Sequence, residues 1–157
     1  MRRHDREVTD PAKIDEILSA CDCCRVAFST EGAPYIVPLN FGFTRTAGRR
    51  ILYFHGAKAG RKLELARRGG AVGFELDRAH QVLPTHGDAC AHTFGFQSII
   101  GTGRIQLVED DGEKARALRL IRNHYSPEDT APITPAMTAM IAVFRIDVEV
   151  LTCKWHQ

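Results

Sequence analysis

The sequence predicts a mainly β domain with flanking helices, and three observations predict it. Short apolar runs alternate with polar residues at period two, turns bearing Gly or Pro separate them, and helical spacing is confined to a few short stretches. Six or so strands, mostly hairpin-connected, with helices at the start, middle and late points, indicate an antiparallel barrel with helical decoration. The order is not a βαβ repeat, which argues against a dinucleotide-binding doubly wound fold.

Thr9-Asp10-Pro11 reads as a helix start, a polar cap followed by proline in the first turn. Ile14, Ile17, Leu18 and Cys21 continue it as one apolar face. Arg25–Thr30 and Tyr35–Phe41 read as strands joined by a turn at Glu31-Gly32. Pro38 inside the second run removes a ladder donor, so that strand belongs at an edge or on a bulge, a position that often marks a ligand side. Thr46-Ala47-Gly48 is the next turn, Arg50–Phe54 a third strand and Lys58–Arg68 a short helix. Ala71–Asp77 is a fourth strand with Val72, Phe74 and Leu76 on one face. A loop rich in His, Pro and Gly, about residues 78–93, leads into a long strand, Phe94–Glu109, whose Gly101 and Gly103 predict a sharp bend. Asp110 with Glu113 resembles a capping box and opens a helix carrying Leu118, Ile121 and Tyr125. Pro127, Pro132 and Pro135 punctuate a loop with one helical turn. Ala142, Phe144, Ile146, Val148 and Val150 then alternate with Arg145, Asp147 and Glu149 as a half-buried last strand.

Composition narrows the function. With 44% hydrophobic and 25% charged residues over 157 positions, the chain reads as one core-bearing domain, residues 1–157, that needs neither disulfide nor metal to fold. A net charge of +2 is too balanced to argue for nucleic acid or an anionic membrane. No apolar run approaches the roughly 20 residues of a membrane span. The charged start Met1–Glu7 is not a signal peptide, so the expected compartment is the cytoplasm. Cys21, Cys23, Cys24, Cys90 and Cys153 are odd in number and read as structural or incidental thiols. Cys21 and Cys24 lack both the second pair of a zinc site and a thioredoxin-like context. His80, His86 and His92, with Asp88 and Cys90, form a loose set whose spacings fit no compact ligand pair, so no metal is expected.

The stretch Leu52–Leu63 carries the chemistry. A strand ends at His55, Gly56 and Ala57 leave the backbone uncrowded, and Lys58, Arg61 and Lys62 place three cations within five residues at a helix start. Free backbone N–H groups there, with Arg and Lys beside them, suit a phosphate. Without an anion, the same cations oppose the helix dipole. The residues alone leave two readings open, a phosphate site and a solvated basic helix. His55 reads as a cleft histidine acting on a substrate, with a buried structural histidine as the alternative. Tyr53 and Phe41 read as core.

Five segments resemble the flavin-binding split-barrel proteins related to pyridoxamine phosphate oxidase, and within them the nitroimidazole-resistance group: Met1–Asp10, Pro34–Gly42, Leu52–Lys58, Gly73–Asp77 and Ser98–Gly103. The resemblance implies a six-stranded antiparallel split barrel that forms a homodimer, with FMN (FAD as the other option) in a cleft shared by two subunits. By position, Arg61 and Lys62 match the pair that grips the flavin phosphate, with Lys58 beside them. His55 and Gly56 fall where the strand end approaches the phosphate or the ring. Val37, Pro38, Leu39 and Asn40 match the strand running along the isoalloxazine. Ser98 stands where the oxidases have a phosphate-contacting Gln, and Gln97 takes that place if the register shifts by one. The chain lacks the oxidases' pyridoxal-binding tail, has Gly69-Gly70 in place of their Asn-Pro, and carries Cys153 where the resistance proteins have Gly. What the resemblance implies for function is a flavin-dependent oxidoreductase acting on a small-molecule electron acceptor, 5-nitroimidazole-type compounds among them. The alternative is a non-catalytic flavin- or haem-binding protein.

Overall fold

The structure, a computed structural model, describes residues 3–84 and 92–157. In chain order the elements are β1 (Glu7–Val8), α1 (Pro11–Ala20), β2 (Cys24–Phe28), β3 (Tyr35–Leu39), β4 (Gly42–Thr46), β5 (Arg49–Gly56), α2 (Arg61–Arg68), β6 (Gly70–Val82), β7 (Phe94–Val108), α3 (Asp111–Tyr125), α4 (Pro135–Met140) and β8 (Ala142–His156). All strand pairs are antiparallel, in the order β3-β2-β6-β7-β8-β5-β4, with β1 on β8. The sheet curls without closing, a split barrel.

The expected caps are in place. Asp10 accepts from the Ala12 N–H with Pro11 at the first helical position, and Asp110 accepts from the Glu113 N–H. Glu113 does not return to its cap as a capping box would. Its carboxylate accepts from the Tyr53 hydroxyl at 3.0 Å and from Arg145 at 2.6 Å, tying α3 to β5 and β8.

The described residues form eight strands where six were expected. β4 went unread because Phe43 is its single large apolar residue, and it owes its place to β5, across a turn with Ala47 and Gly48 at φ +50° and +78°. β1 is two residues long, too short for any period. β3 ends at Leu39 rather than Phe41: the Phe41 N–H donates to the Tyr125 hydroxyl, which donates to the Asp22 carbonyl. β6 continues to Val82 past a register irregularity at Arg78–Gln81, so the expected loop is shorter.

β7 and β8 slip register between Thr102 and Gly103, where Thr102 faces Val150 and Gly103 faces Val148, leaving Glu149 as the extra residue of a bulge. The bulge inverts the alternation of β8. Phe144 and Ile146 are buried before it, whereas Val150, expected inside, is 58% exposed and Cys153 lies inside instead. β5 and β8 bury both faces. Leu52, Phe54, Phe144 and Ile146 belong to the barrel core, while Tyr53 and Val143 pack with Val108, Ala117 and Ile121 beneath α3.

Gly103 sits where a Cβ would lie 2.3 Å from the Asp147 carbonyl oxygen. Gly103→Ala is expected to destabilise by at least about 1–3 kcal/mol. Gly32→Ala, where a Cβ meets nothing within 4 Å, is expected to stay within about 0.5 kcal/mol of the parent. Thermal melts of both variants check the pair.

Candidate functional site

The site grows from the step between β5 and α2. His55 and Gly56 end β5, paired with Val143 and Ala142 of β8. After four intervening residues α2 opens with Arg61 and Lys62. The Lys62 side chain folds back over the strand end, its Nζ 5.7 Å from the centroid of the Phe144 ring. It can do so because residue 56 is glycine, where a Cβ would stand 2.8 Å from that Nζ. Burial pushes the Lys62 pKa down. Burial, and then the Lys62 charge, push His55 down as well, so its ring is neutral at neutral pH. The His55 Nδ1 is buried with no hydrogen-bond partner.

Arg61 lies over the Tyr35 ring at 4.8 Å. Among the described residues no carboxylate pairs with Arg61, Lys62 or the exposed Lys58. A solvated basic helix does not require one of its lysines to be half-buried beside a neutral histidine. Unmatched positive charge next to an orphaned ring nitrogen is what an anionic ligand with polar atoms would satisfy. A phosphate-bearing planar cofactor therefore fits the residues present.

β3 is a terminal strand of the sheet, the position that Pro38 requires. Val37 packs on the core, Leu39 is buried, and Pro38 and Asn40 are exposed. Pro38 faces outward in a row with Arg25, Glu75, Ile100 and Thr152. The adjacent row runs Ile36, Ala27, Gly73, Thr102 and Val150. Ile36 (58%), Ile100 (55%) and Val150 (58%) are exposed there, on β3, β7 and β8, with the ion-paired Arg25, Glu75 and Asp77 between Ile36 and the other two. Ser98, paired with Asp77 and Lys154, is on the same face.

A second part of the site came from no motif. Asn40 and His55 open into a largely apolar pocket of about 550 Å³ walled by Leu118, Tyr125, Met137 and Met140. The Tyr125 hydroxyl fixes the chain at Phe41, next to Asn40, and His124 supports the same corner by donating from Nε2 to the Cys21 carbonyl at 2.7 Å. Sequence reading placed Tyr125 on an apolar helix face and saw nothing of this role, because its partners lie 84 and 103 residues away.

Gln97 and Ser98 are not brought to the cations within one chain. α2 leads through Gly69 into Gly70, which pairs with Ile105, whereas Gln97 lies eight residues back, roughly 25 Å of strand. Gln97 is buried and accepts from Arg78 at 3.3 Å. Of the histidine set, His80 pairs with Asp77 at 2.7 Å, while His86, Asp88 and Cys90 lie outside the described residues. Cys21, Cys24 and Cys153 are buried free thiols, with burial pushing Cys21 up to about 12 and Cys153 to about 11. These are inert positions. No helix among the described residues is long and apolar enough to cross a membrane.

Fold and site together define a split-barrel protein with a cationic strand-to-helix step. The chain belongs to the pyridoxamine 5'-phosphate oxidase family, whose model matches residues 10–155. Among solved structures it is similar to a candidate 5-nitroimidazole antibiotic resistance protein from Bacteroides thetaiotaomicron. The two are 28% identical over 94% of this chain and 85% of that one, with a TM-score of 0.79. A flavocytochrome from Azotobacter vinelandii (23% identity, 100% and 72% coverage, TM-score 0.80) shares the fold. So does an FAD- and haem-binding protein from Mycobacterium smegmatis (18%, 97% and 74%, 0.81). No curated protein matches the chain.

The depressed pKa of His55 has a signed consequence for stability. Well above the ordinary value of 6.5, the ring is neutral in both folded and unfolded chains. As pH falls through that value the unfolded chain binds the proton first, so folded stability is lost. Thermal melts of the ligand-free protein from pH 7 to about 5 are expected to show His55→Gln with a shallower loss than the parent. Parallel curves would show that His55 titrates normally.

Proposed function

We propose that the protein is a flavin-dependent oxidoreductase that reduces a small-molecule acceptor, with 5-nitroimidazole-type nitroaromatics as the first class to test. The observation that carries this reading is the pair Arg61 and Lys62, without a carboxylate partner among the described residues, at the step that follows the strand end where His55 has a buried, unpartnered Nδ1. In this reading Arg61 and Lys62 hold the phosphate of FMN, or of FAD, with Lys58 adding field from the loop. The backbone of Val37, Pro38, Leu39 and Asn40 and the strand end at His55 and Gly56 flank the ring. When bound, the flavin supplies hydride or electron transfer, which no side chain of this site provides. The chain supplies position and a largely apolar pocket.

His55 faces the acceptor side. Its neutral ring donates a hydrogen bond to an acceptor oxygen as negative charge develops there, while the proton comes from solvent. The apolar pocket shared with Asn40 suits a small aromatic compound. The family membership and the likeness to the resistance protein support this choice of acceptor.

A second copy of the chain completes the site. Ile36, Ile100 and Val150 are exposed on one face of the sheet together with the ion-paired Arg25, Glu75 and Asp77, and the outward-facing Pro38 and Ser98 share it. A twofold dimer over this face would bring the partner's far end of β7, with Gln97 and Ser98, toward the cofactor. Light scattering is expected to give a dimer, and Ile100→Lys to give a monomer that has lost flavin affinity. A wild-type monomer with full affinity would defeat the shared cleft.

One feature favours a second reading. An imidazole opening into a pocket walled by methionine, leucine and isoleucine is also a setting for an axial haem ligand, which would make the protein a binder rather than an enzyme. Arg61→Ala and His55→Ala separate the two. For a flavoenzyme, Arg61→Ala weakens FMN binding by roughly ten- to a hundred-fold, the worth of a charge-assisted hydrogen bond. His55→Ala then lowers turnover while leaving flavin content and Tm nearly intact. A haem binder would lose its ligand in His55→Ala and ignore Arg61→Ala.

A further inference from the structure

Beyond Met1 the chain has only two methionines, and the fold puts both in one place. Met137 and Met140 lie one helical turn apart on α4 and wall the pocket into which His55 opens. Between them Thr138 is buried, its hydroxyl donating to the Pro135 carbonyl at 2.9 Å. Thr138 therefore faces the protein while the methionines flank the pocket. Met137 is 48% exposed and Met140 76%, so a small oxidant reaches both. The other apolar walls, Leu118, Ile121, Ile133 and Ile141, have no atom that a mild oxidant attacks, and no cysteine among the described residues lines the pocket.

The chemistry of the thioether gives that placement a consequence. An unoxidised methionine is apolar and flexible enough to mould a pocket wall to a small ligand. Its sulfoxide is polar and carries a strong hydrogen-bond acceptor. An apolar ligand seated against a sulfoxide drives water from that oxygen and offers it nothing in return, which penalises binding.

We propose that Met137 and Met140 form an oxidation site at which hydrogen peroxide closes the pocket to apolar ligands. The methionine sulfur attacks one peroxide oxygen, and the O–O bond breaks as the S–O bond forms. The departing hydroxide takes the proton of the transferred oxygen and leaves as water, so sulfur loses the two electrons that peroxide gains. The peroxide has two possible sources. One is the surroundings. The other rests on the flavin reading: dioxygen takes two electrons and two protons from a reduced flavin and becomes peroxide beside the pocket. From either source, accumulating oxidant lowers acceptor affinity, and enzymatic reduction of the sulfoxides restores it.

The test follows the full-length protein, with and without FMN, before and after hydrogen peroxide. Peptide masses read oxidation at each methionine, and calorimetry reads binding of 2-methyl-5-nitroimidazole and of toluene, an apolar probe of similar size. The expected result is an added oxygen atom on both Met137 and Met140, unchanged circular dichroism, and binding of both probes weakened about ten-fold. In the Met137→Leu, Met140→Leu double variant, peroxide is expected to leave the variant's own probe affinity where it was, which assigns the loss to the methionines rather than to a thiol. Methionine sulfoxide reductases are expected to restore mass and affinity together in the oxidised parent. With NADH and air in place of added peroxide, a mass gain confined to the FMN-loaded protein assigns the oxidant to the flavin, and a gain from added peroxide alone assigns it to the surroundings. The inference would be overturned, with the flavin reading left standing, by sulfoxide at both positions without loss of probe affinity. Affinity that stays lost after the sulfoxides are reduced, no sulfoxide under conditions that oxidise free methionine, or a parent that binds neither probe would overturn it equally. A protein that takes up no flavin yet loses probe affinity on oxidation would sustain the inference and overturn the flavin reading.

Discussion

Lys62 lies over the end of β5 because residue 56 has no side chain, and the chemistry of the site follows from that contact. Burial first, and then this half-buried ammonium, depress the His55 pKa and keep that imidazole neutral, and with Arg61 the lysine leaves positive charge that no carboxylate in the described chain balances. A side chain at 56 would meet the ammonium end of the lysine, which would have to shift from the strand end.

The sheet delivers that step to the right place. The bulge at Glu149, admitted by the missing Cβ of Gly103, changes which side chains of β8 point inward. Before it, Phe144 and Ile146 build the core on which Lys62 rests. Beyond it, Val150 joins Ile36 and Ile100 on the outer face. One backbone irregularity therefore shapes both the floor beneath the cations and the outer face on which we propose a second copy sits. On the opposite side, Tyr125 and His124 pin the Asn40–Phe41 corner and close the pocket into which His55 opens.

Much of this was legible in the sequence, for identifiable reasons. Pro38 demanded an edge, and β3 is terminal. Asp10-Pro11 and Asp110 announced helix starts through local side-chain-to-backbone bonds that need no tertiary knowledge. The cluster Lys58, Arg61 and Lys62 was visible as charge density at a strand-to-helix step. Long-range geometry was not visible. β4 exists because β5 pairs with it, Val150 faces outward because of the bulge between β7 and β8, and Tyr125 acts through partners far away in the chain. Gln97 and Ser98 looked like neighbours of Arg61 in the resemblance, yet within one chain they occupy the far end of β7, a separation that only a second copy would bridge. Cys153, which departs from the residue expected there, packs in the core as a free thiol, and the structure accommodates it by burial alone.

The central claim is that the uncompensated cations beside His55 hold a phosphate-bearing flavin. The absorbance spectrum of the purified protein, combined with mass spectrometry of the small molecule released on denaturation, tests it most directly. The account predicts a yellow protein, or one that becomes so on incubation with FMN or FAD, releasing one flavin nucleotide per chain and none from the Arg61→Ala, Lys62→Ala double variant. A protein that stays colourless with both nucleotides, or that releases haem and no flavin, would contradict it.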